Sequence, residues 1–371
     1  MPTIFKAAVL KEFQSHLEMH QYPLPTSLEP LGALVRVEMA GVCGTDIHLW
    51  KGQLPIPRPN ILGHETVGRI ERLGDSLRQD WTGLPLQAGD RVTWSSSLAC
   101  GQCFYCKEKR QPTRCLNRKA YGISYNCEEP PHCNGGYAEY IYLRPGSAIF
   151  RLPEALSTER VIGAGCALVT AIHGIERMGI DWHDVVVIQG MGPVGLAALA
   201  LALDHGASKA IVIGGPEHRL KTARSFGANE CINIEEVSRS QDRIERVRQL
   251  TRGFGADVVI ECVGSPEAVP EGLELCRDGA RFLVLGHYGD AGPVLLNPHH
   301  ITRKQLAIYG SWGSEPRHMR QALEFLQARG DRFPFEQLVT HRFPLEKTTE
   351  ALETTARWKS TKSVVVPGMG K

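Results

Sequence analysis

Of the eleven cysteines in this 371-residue chain, four crowd together as Cys100-Gly-Gln-Cys103-Phe-Tyr-Cys106 followed by Cys115. Four thiolates in one short segment suit a closed tetrahedral zinc site, where protein fills every coordination position and the metal holds structure. Redox chemistry needs one pair, not a ladder. Cys127 and Cys133 lie close enough in sequence to serve as substitute ligands. A second set is dispersed. Cys43-Gly44-Thr45-Asp46-Ile47-His48 and Gly63-His64-Glu65 place a thiol, a hydroxyl, carboxylates and imidazoles on two glycine-hinged turns, and Cys166 follows in Gly163-Ala164-Gly165-Cys166-Ala167. Two thiolates and one imidazole leave the fourth position of a zinc ion open to water or substrate, as metal catalysis requires. Singly, Cys166 reads as a small core residue and His64 as a hydrogen-bonded one; together, beside the motif described next, they read as a site.

An apolar run at 185–188 leads directly into Gly190-Met191-Gly192-Pro193-Val194-Gly195 and then into an apolar stretch of helical length. A glycine pattern gains meaning from a strand before it and a helix after it. Gly190 permits the tight turn, Gly192 lets backbone approach a pyrophosphate, Gly195 lets helix and strand pack closely, and Pro193 and Val194 open the helix whose free amides face the phosphates. A plain strand-turn-helix junction is the bland alternative. The second strand ends Ile213-Gly214-Gly215-Pro216, with no acid at its tip to hold ribose hydroxyls and no arginine directly in its place. Arg219 is the nearest cation, and Glu217 is near enough to turn inward. The expected cofactor is NAD, with NADP as the alternative.

The elements that position these residues differ along the chain. Residues 1–157 are rich in glycine, proline and short β-type runs such as Leu34-Val35-Arg36-Val37-Glu38 and Arg91-Val92-Thr93-Trp94, a mostly β domain. Apolar runs at 185–188, 210–213, 257–260 and 281–285 then alternate with helical segments at 193–203 and 218–226, which predicts a doubly wound parallel sheet. A helix over 319–329 and a strand at 363–366 belong to a tail too short for its own domain, so it is expected to pack back on the first. At 42% hydrophobic and 22% charged residues, the chain supports two such cores. A net charge of +2 offers no broad surface to nucleic acid or anionic lipid, and Lys107, Lys109, Arg110, Arg114, Arg118 and Lys119 read as a solvated loop. No basic start with a following apolar stretch opens the sequence, and no run nears the roughly 18 uninterrupted apolar residues of a membrane span. The expected location is the cytoplasm, with neither membrane nor nucleic acid as partner.

In this order, Cys43-x-Thr45-Asp46-x-His48, Gly63-His64-Glu65, Gly89-Asp90-Arg91-Val92, the Cys100 to Cys115 ladder, Cys166 with Thr170 after it, and Gly190-x-Gly192-x-x-Gly195 resemble the zinc-containing medium-chain alcohol dehydrogenase family over nearly the whole chain. Two cysteines and one histidine are the ligand set for which alcohol dehydrogenase is the standing example. The resemblance implies an α/β protein with a GroES-like, mostly β catalytic domain (1–157, completed by 308–371) and a Rossmann cofactor domain (158–307). It implies that Cys43, His64 and Cys166 bind catalytic zinc, that Glu65 stands behind the metal as an occasional ligand, and that Asp46 orients His64. It further implies that Thr45 touches the substrate oxygen and passes its proton through the cofactor ribose toward His48, that Thr170 lies against the nicotinamide, and that Cys100, Cys103, Cys106 and Cys115 hold a structural zinc. The implied reaction is hydride transfer between an alcohol and NAD or NADP, in a homodimer or homotetramer joined through the edge of the cofactor-domain sheet. Three departures stand out. The interval from Cys106 to Cys115 is one residue longer than the usual spacing, Gly214 replaces the acid of NAD-preferring members, and the segment 117–136 is longer than in the shortest ones.

Two rivals compete with this reading. A zinc-free enone or quinone reductase on the same plan would not need Cys43, His64 and Cys166, and a nucleotide-sensing scaffold would not need Thr45 and His48. A DNA-binding zinc ribbon is disfavoured by the near-neutral charge. Leu49, Trp50 and Trp94-Ser95-Ser96-Ser97 are candidate pocket walls, the small serines hinting at a bulky or secondary alcohol.

Overall fold

The computed structural model describes residues 3–370. The valine- and isoleucine-rich runs of the second half form strands buried along nearly their whole length, as expected where helices cover both faces of a parallel sheet. This sheet has six strands in chain order: Val185–Gln189, Lys209–Gly214, Glu230–Asn233, Ala256–Glu261, Cys276–Val284 and Ala307–Gly310. All neighbouring pairs are parallel, and the spatial order is 3-2-1-4-5-6. The direction of winding reverses between the first and fourth strands, the usual place of a ligand crevice at their carboxyl ends. Glu230–Asn233 and Ala307–Gly310 are not among the sequence expectations. Both are short edge strands: Glu230–Asn233 opens and closes on polar residues, and Ala307–Gly310 is largely exposed, so neither carries the long apolar run that marks a central strand.

The other sheet has seven strands. In spatial order Val339–Pro344, Lys362–Val366, Ala33–Val42, Glu65–Leu73, Arg91–Trp94 and Ile149–Arg151 lie side by side, with Tyr140–Leu143 also pairing to Ala33–Val42. Its pairs are antiparallel except the one between the two C-terminal strands. Register decides what meets: Gly41 opposes Glu65 on one side and Val364 on the other. The tail strand is therefore an internal member of this seven-stranded sheet, so the short tail packs back on the first unit as expected.

The chain divides into two compact units, residues 1–166, 315–328 and 335–371 in one and 167–314 with 329–334 in the other. These limits differ from the expected 157/158 and 307/308. The first falls inside the helix Thr158–Met178, which leaves helical geometry at Gly165. The second moves outward because Ala307–Gly310 completes the parallel sheet. Residues 329–334 return to that unit, where Arg329 Nε lies 2.6 Å from Asp204 Oδ1 and the rings of Phe333 and Phe226 are 6.2 Å apart. Thr158–Met178 is long and apolar enough to cross a bilayer by composition, yet 67% of its most apolar window is buried within the protein.

Candidate functional site

The helix Gly44–Trp50 begins at Cys43, whose side chain caps it by accepting from the Thr45 amide at 3.2 Å. The reciprocal half of this capping box is Asp46, whose Oδ2 accepts from the Cys43 amide at 2.9 Å. The other oxygen of Asp46 lies 3.2 Å from His64 Nδ1. Since a carboxylate only accepts, Nδ1 carries a proton toward Asp46, which leaves Nε2 as the nitrogen available to a metal. One buried carboxylate thus fixes both the Cys43 turn and the His64 tautomer. Thr45 is half-buried, and His48 is exposed, with Nδ1 2.5 Å from Gln53 Oε1.

Glu65 opens its strand beside His64 and is fully enclosed. Its Oε1 accepts from the Cys166 amide at 2.7 Å, and its Oε2 pairs with the ammonium of Lys362. The pair crosses above Gly41, where a side chain would lie 2.5 Å from Glu65 Oε2 and 3.0 Å from Lys362 Cε. Gly165, with φ of 48°, makes the same accommodation from the helix, since a Cβ there would sit 2.3 Å from Glu65 Oε1. That break turns Cys166 inward until its sulfur is 3.6 Å from that of Cys43. Cys43, His64, Glu65 and Cys166 offer ligand atoms all within 4.8 Å of one another.

The charges are mutually adjusted. The hydrogen bond from Cys166, then His64, pulls the Cys43 thiol down to about 5 despite its burial. The same bond, with burial, pushes the Cys166 thiol well up. Burial opposes charge on His64, but Asp46 and Cys43 outweigh it and raise its imidazole well above the ordinary range. Burial likewise opposes the Glu65 carboxylate, and Lys362 and His64 more than offset it. Two soft sulfurs and one imidazole converging within 4.8 Å are a donor set that fits zinc, and a metal binding there would displace the protons that Cys166 and His64 hold.

Cys100, Cys103, Cys106 and Cys115 also converge, with sulfurs within 4.8 Å of one another. The Cys100 amide donates to Cys115 Sγ at 3.2 Å, and Asn117 Nδ2 approaches Cys100 Sγ at 3.7 Å. The single turn Pro112–Arg114 leads directly into Cys115. Amides of Gln102 and Cys103 pull the Cys100 thiol down to about 6. Cys127 and Cys133 do not join the cluster; both lie wholly buried in the main core, Cys127 with its sulfur 3.3 Å from Tyr22 OH. Leu49 and Trp94, expected as pocket walls, are buried in apolar clusters of this unit. The segment after the cluster is folded down by Asn60, whose amide donates to the carbonyls of Ile123 and Tyr125.

In the second unit, Gly190 turns with φ of 92° and Gly192 is the N-cap of Pro193–Asp204, with no side chain capping it. A Cβ on Gly195 would lie 1.8 Å from the Gly190 carbonyl oxygen, whereas one on Gly192 would meet only Arg219 Nη1, at 4.0 Å. The cradle is thus tight where helix meets strand and open where a phosphate would enter. Arg219 reaches it from the helix Glu217–Ser225, after Gly214 and Gly215. Glu217 does not turn inward; its Oε1 takes Arg224 Nη1 at 2.6 Å. Thr170 is half-buried on the helix of Cys166, one turn on.

Lys362 and Gln53 are site residues that the sequence reading passes over. Lys362 had a signal, a lysine on the same face as Val364 and Val366 in a valine-rich strand, where a buried cation implies a buried partner. For Gln53, in a turn, no sequence signal exists.

Residues 29–154 match the family described as alcohol dehydrogenase GroES-like domain, and residues 193–328 the one described as zinc-binding dehydrogenase. The chain is 36% identical to 5-exo-hydroxycamphor dehydrogenase of Pseudomonas putida, over 94% of each chain. It is 30% identical to sorbitol dehydrogenase of Halalkalibacterium halodurans, over 95% of this chain and 96% of that one. The crystal structure of an alcohol dehydrogenase from Thermotoga maritima superposes with a TM-score of 0.93 at 32% identity, covering 98% of this chain and 100% of that one. A structure from Sinorhizobium meliloti 1021, described as a zinc-binding dehydrogenase bound to NADP, superposes with a TM-score of 0.86 at 26% identity, over 99% and 100% of the two chains.

Proposed function

The chain belongs to the zinc-containing medium-chain alcohol dehydrogenase family, and from that premise we propose that it is a zinc-dependent oxidoreductase interconverting a secondary, bulky alcohol and its ketone. The observation that carries this is the convergence of Cys43, His64 and Cys166 with Glu65 already committed to Lys362 and the Cys166 amide. Three donors then remain for a catalytic zinc, with one position for substrate. Cys100, Cys103, Cys106 and Cys115 would hold a second, structural zinc. When bound, the catalytic metal supplies a Lewis acid that lowers the alcohol's pKa, and the nicotinamide ring supplies the hydride acceptor.

The residues of the chain do the rest. Asp46 holds His64 in the Nδ1-protonated form, so that Nε2 faces the site. Lys362 and Gly165 keep Glu65 and Cys166 in register. The Thr45 hydroxyl would accept the proton of the substrate alcohol while releasing its own into a relay through the ribose of the bound cofactor. That relay ends at His48, exposed beside Gln53, from which the proton leaves to solvent. Gly190, Gly192, Pro193, Val194, Gly195, Gly214, Gly215, Arg219 and Thr170 form the dinucleotide site. NAD is assigned first. Arg219 beside Gly192, together with the NADP-bound relative, favours NADP as the second reading.

A bicyclic secondary alcohol is the natural first substrate, given the relative named for hydroxycamphor. Primary, secondary and cyclic alcohols assayed with both cofactors for reduced-nicotinamide absorbance test the reading; a protein of full zinc content that turns over none of them, in either direction, overturns it. The assembly is assigned as a homodimer or homotetramer through Ala307–Gly310, an edge strand with Ile308 43% exposed and Leu295, before it, 95% exposed. The location is assigned as cytoplasmic, in keeping with eleven cysteines none of which pairs in a disulfide.

A further inference from the structure

The fourth strand of the parallel sheet ends in Glu261, paired in register with Gln189, the last residue of the first strand. These two strands flank the reversal in winding, and ligands of such sheets bind across it. Glu261 has no exposed surface and, among the described residues, forms no ion pair with a lysine or arginine. Instead its Oε1 accepts from the amides of Val263 and Gly264, each at 2.6 Å, and its Oε2 from the amide of Gly286 at 3.1 Å. His287 Nε2 stands 3.8 Å away. A buried carboxylate compensated by backbone amides is expensive to desolvate, and it holds the groups that satisfy it rigidly in return.

The amides it holds belong to different loops. Val263 and Gly264 follow the fourth strand; Gly286 follows the fifth, Cys276–Val284. The loops touch so closely that a Cβ on Gly286 would lie 2.3 Å from the Gly264 nitrogen. The first also packs on the phosphate turn, where a Cβ on Gly190 would meet Cys262 and Val263 atoms at 3.0 Å. Beyond Gly286 the fifth-strand loop is tied to the sixth-strand loop, with Tyr288 and Trp312 stacked at 5.4 Å and 7° and Trp312 Nε1 donating to the Tyr288 carbonyl at 3.1 Å. A continuous platform results, joining the phosphate turn to the second half of the sheet.

We infer that Glu261 is a positioning residue for the dinucleotide, presetting the loops after the fourth and fifth strands into the surface that receives its nicotinamide half. The inference rests on the dinucleotide reading above. The adenosine half is expected at the first three strands, whereas the side-chain hydrogen bonds of Glu261 go to amides after the fourth and fifth.

The test compares NADH with ADP-ribose, which lacks the nicotinamide, on zinc-loaded wild-type protein and on Glu261→Gln, whose amide group turns a donor toward loop amides. NADH affinity, read by titration calorimetry, is expected to fall at least about tenfold in the variant, with ADP-ribose affinity within about twofold of wild type. Equal loss for both ligands, or loss for neither, overturns the inference. Should the variant fail to fold, hydrogen exchange on the wild type decides: Val263, Gly264 and Gly286 amides gain protection with NADH and not with ADP-ribose, and equal protection by both overturns it. Wild-type protein that binds neither ligand refutes the dinucleotide reading itself.

Discussion

Asp46 Oδ1 lies 3.2 Å from His64 Nδ1 while Asp46 Oδ2 takes the amide of Cys43, so one carboxylate wholly removed from solvent aligns two proposed zinc ligands 21 residues apart. Asp46→Asn preserves the shape and offers His64 an amide in place of a carboxylate. Loss of such a partner typically costs about 10–100-fold in metal affinity or activity. The expected result is a drop of that size in zinc affinity under chelator competition, with unchanged binding of ADP-ribose.

Removing a ligand is harsher than misaligning one. Cys43→Ala or His64→Ala is expected to abolish turnover while dinucleotide binding persists, because the glycine turn lies in the other unit. Wild-type protein stripped by chelator should behave the same way and recover on addition of zinc. Activity retained in demonstrably metal-free protein contradicts the mechanism and favours the enone or quinone reductase reading.

Lys362 and Glu65 have side chains 1% and 2% exposed, so neither charge has water to fall back on. Lys362→Met leaves the carboxylate without its cation, and breaking one side of such a pair costs about 3–5 kcal/mol. Chemical denaturation should register that loss, with much of it restored in the Lys362→Met, Glu65→Gln double variant. The pair also sets a pH window. Glu65 is held below its ordinary range, so its contribution is present above that range and disappears as acidification passes its folded value. Lys362 is held above its ordinary range, so its contribution is complete below that range and disappears as alkalinity passes its folded value. Denaturation of wild type and the double variant across pH should therefore differ least at the acid and alkaline extremes.

Cys103→Ser is expected to lower zinc stoichiometry from two ions per chain to one and to expose the loop around Pro112–Arg114 to protease, with ligands at Cys43, His64 and Cys166 still loaded. Metal analysis paired with limited proteolysis reads both effects. An unchanged stoichiometry rules out a structural zinc at the four thiols.

Gly195→Ala drives a methyl group into the Gly190 carbonyl, 1.8 Å from where its Cβ would stand. Backbone cannot yield there without moving the phosphate turn. NADH binding should be lost or reduced by orders of magnitude, while zinc content stays at the wild-type value.

What could be read from the sequence depended on how local the physics was. The central strands announced themselves because both faces are apolar, and the phosphate turn because its glycines fall at fixed offsets between strand and helix. Cys115 was ambiguous against Cys127 and Cys133, since spacing says nothing of which sulfurs are folded into the core; the structure buries the latter two. The edge strands and the unit boundaries escaped because exposure weakens periodicity and because a helix can begin in one unit and continue into the next. Lys362 stands out as a lysine opening a valine-rich strand, but its partner Glu65 is set by register between strands far apart in sequence, which no local window reveals.

That register has a consequence for how the protein is made. The ribosome releases Glu65 long before Lys362, which lies 297 residues later. Until the final strand slots beside Ala33–Val42, a nascent chain already bearing Cys43, His64 and Cys166 must keep Glu65 hydrated, and hydration there holds open the shell in which metal is to settle. Tight zinc uptake at those three residues should accordingly be a late event in biogenesis, absent from stalled chains ending before residue 362 and present once the terminal strand has emerged from the exit tunnel.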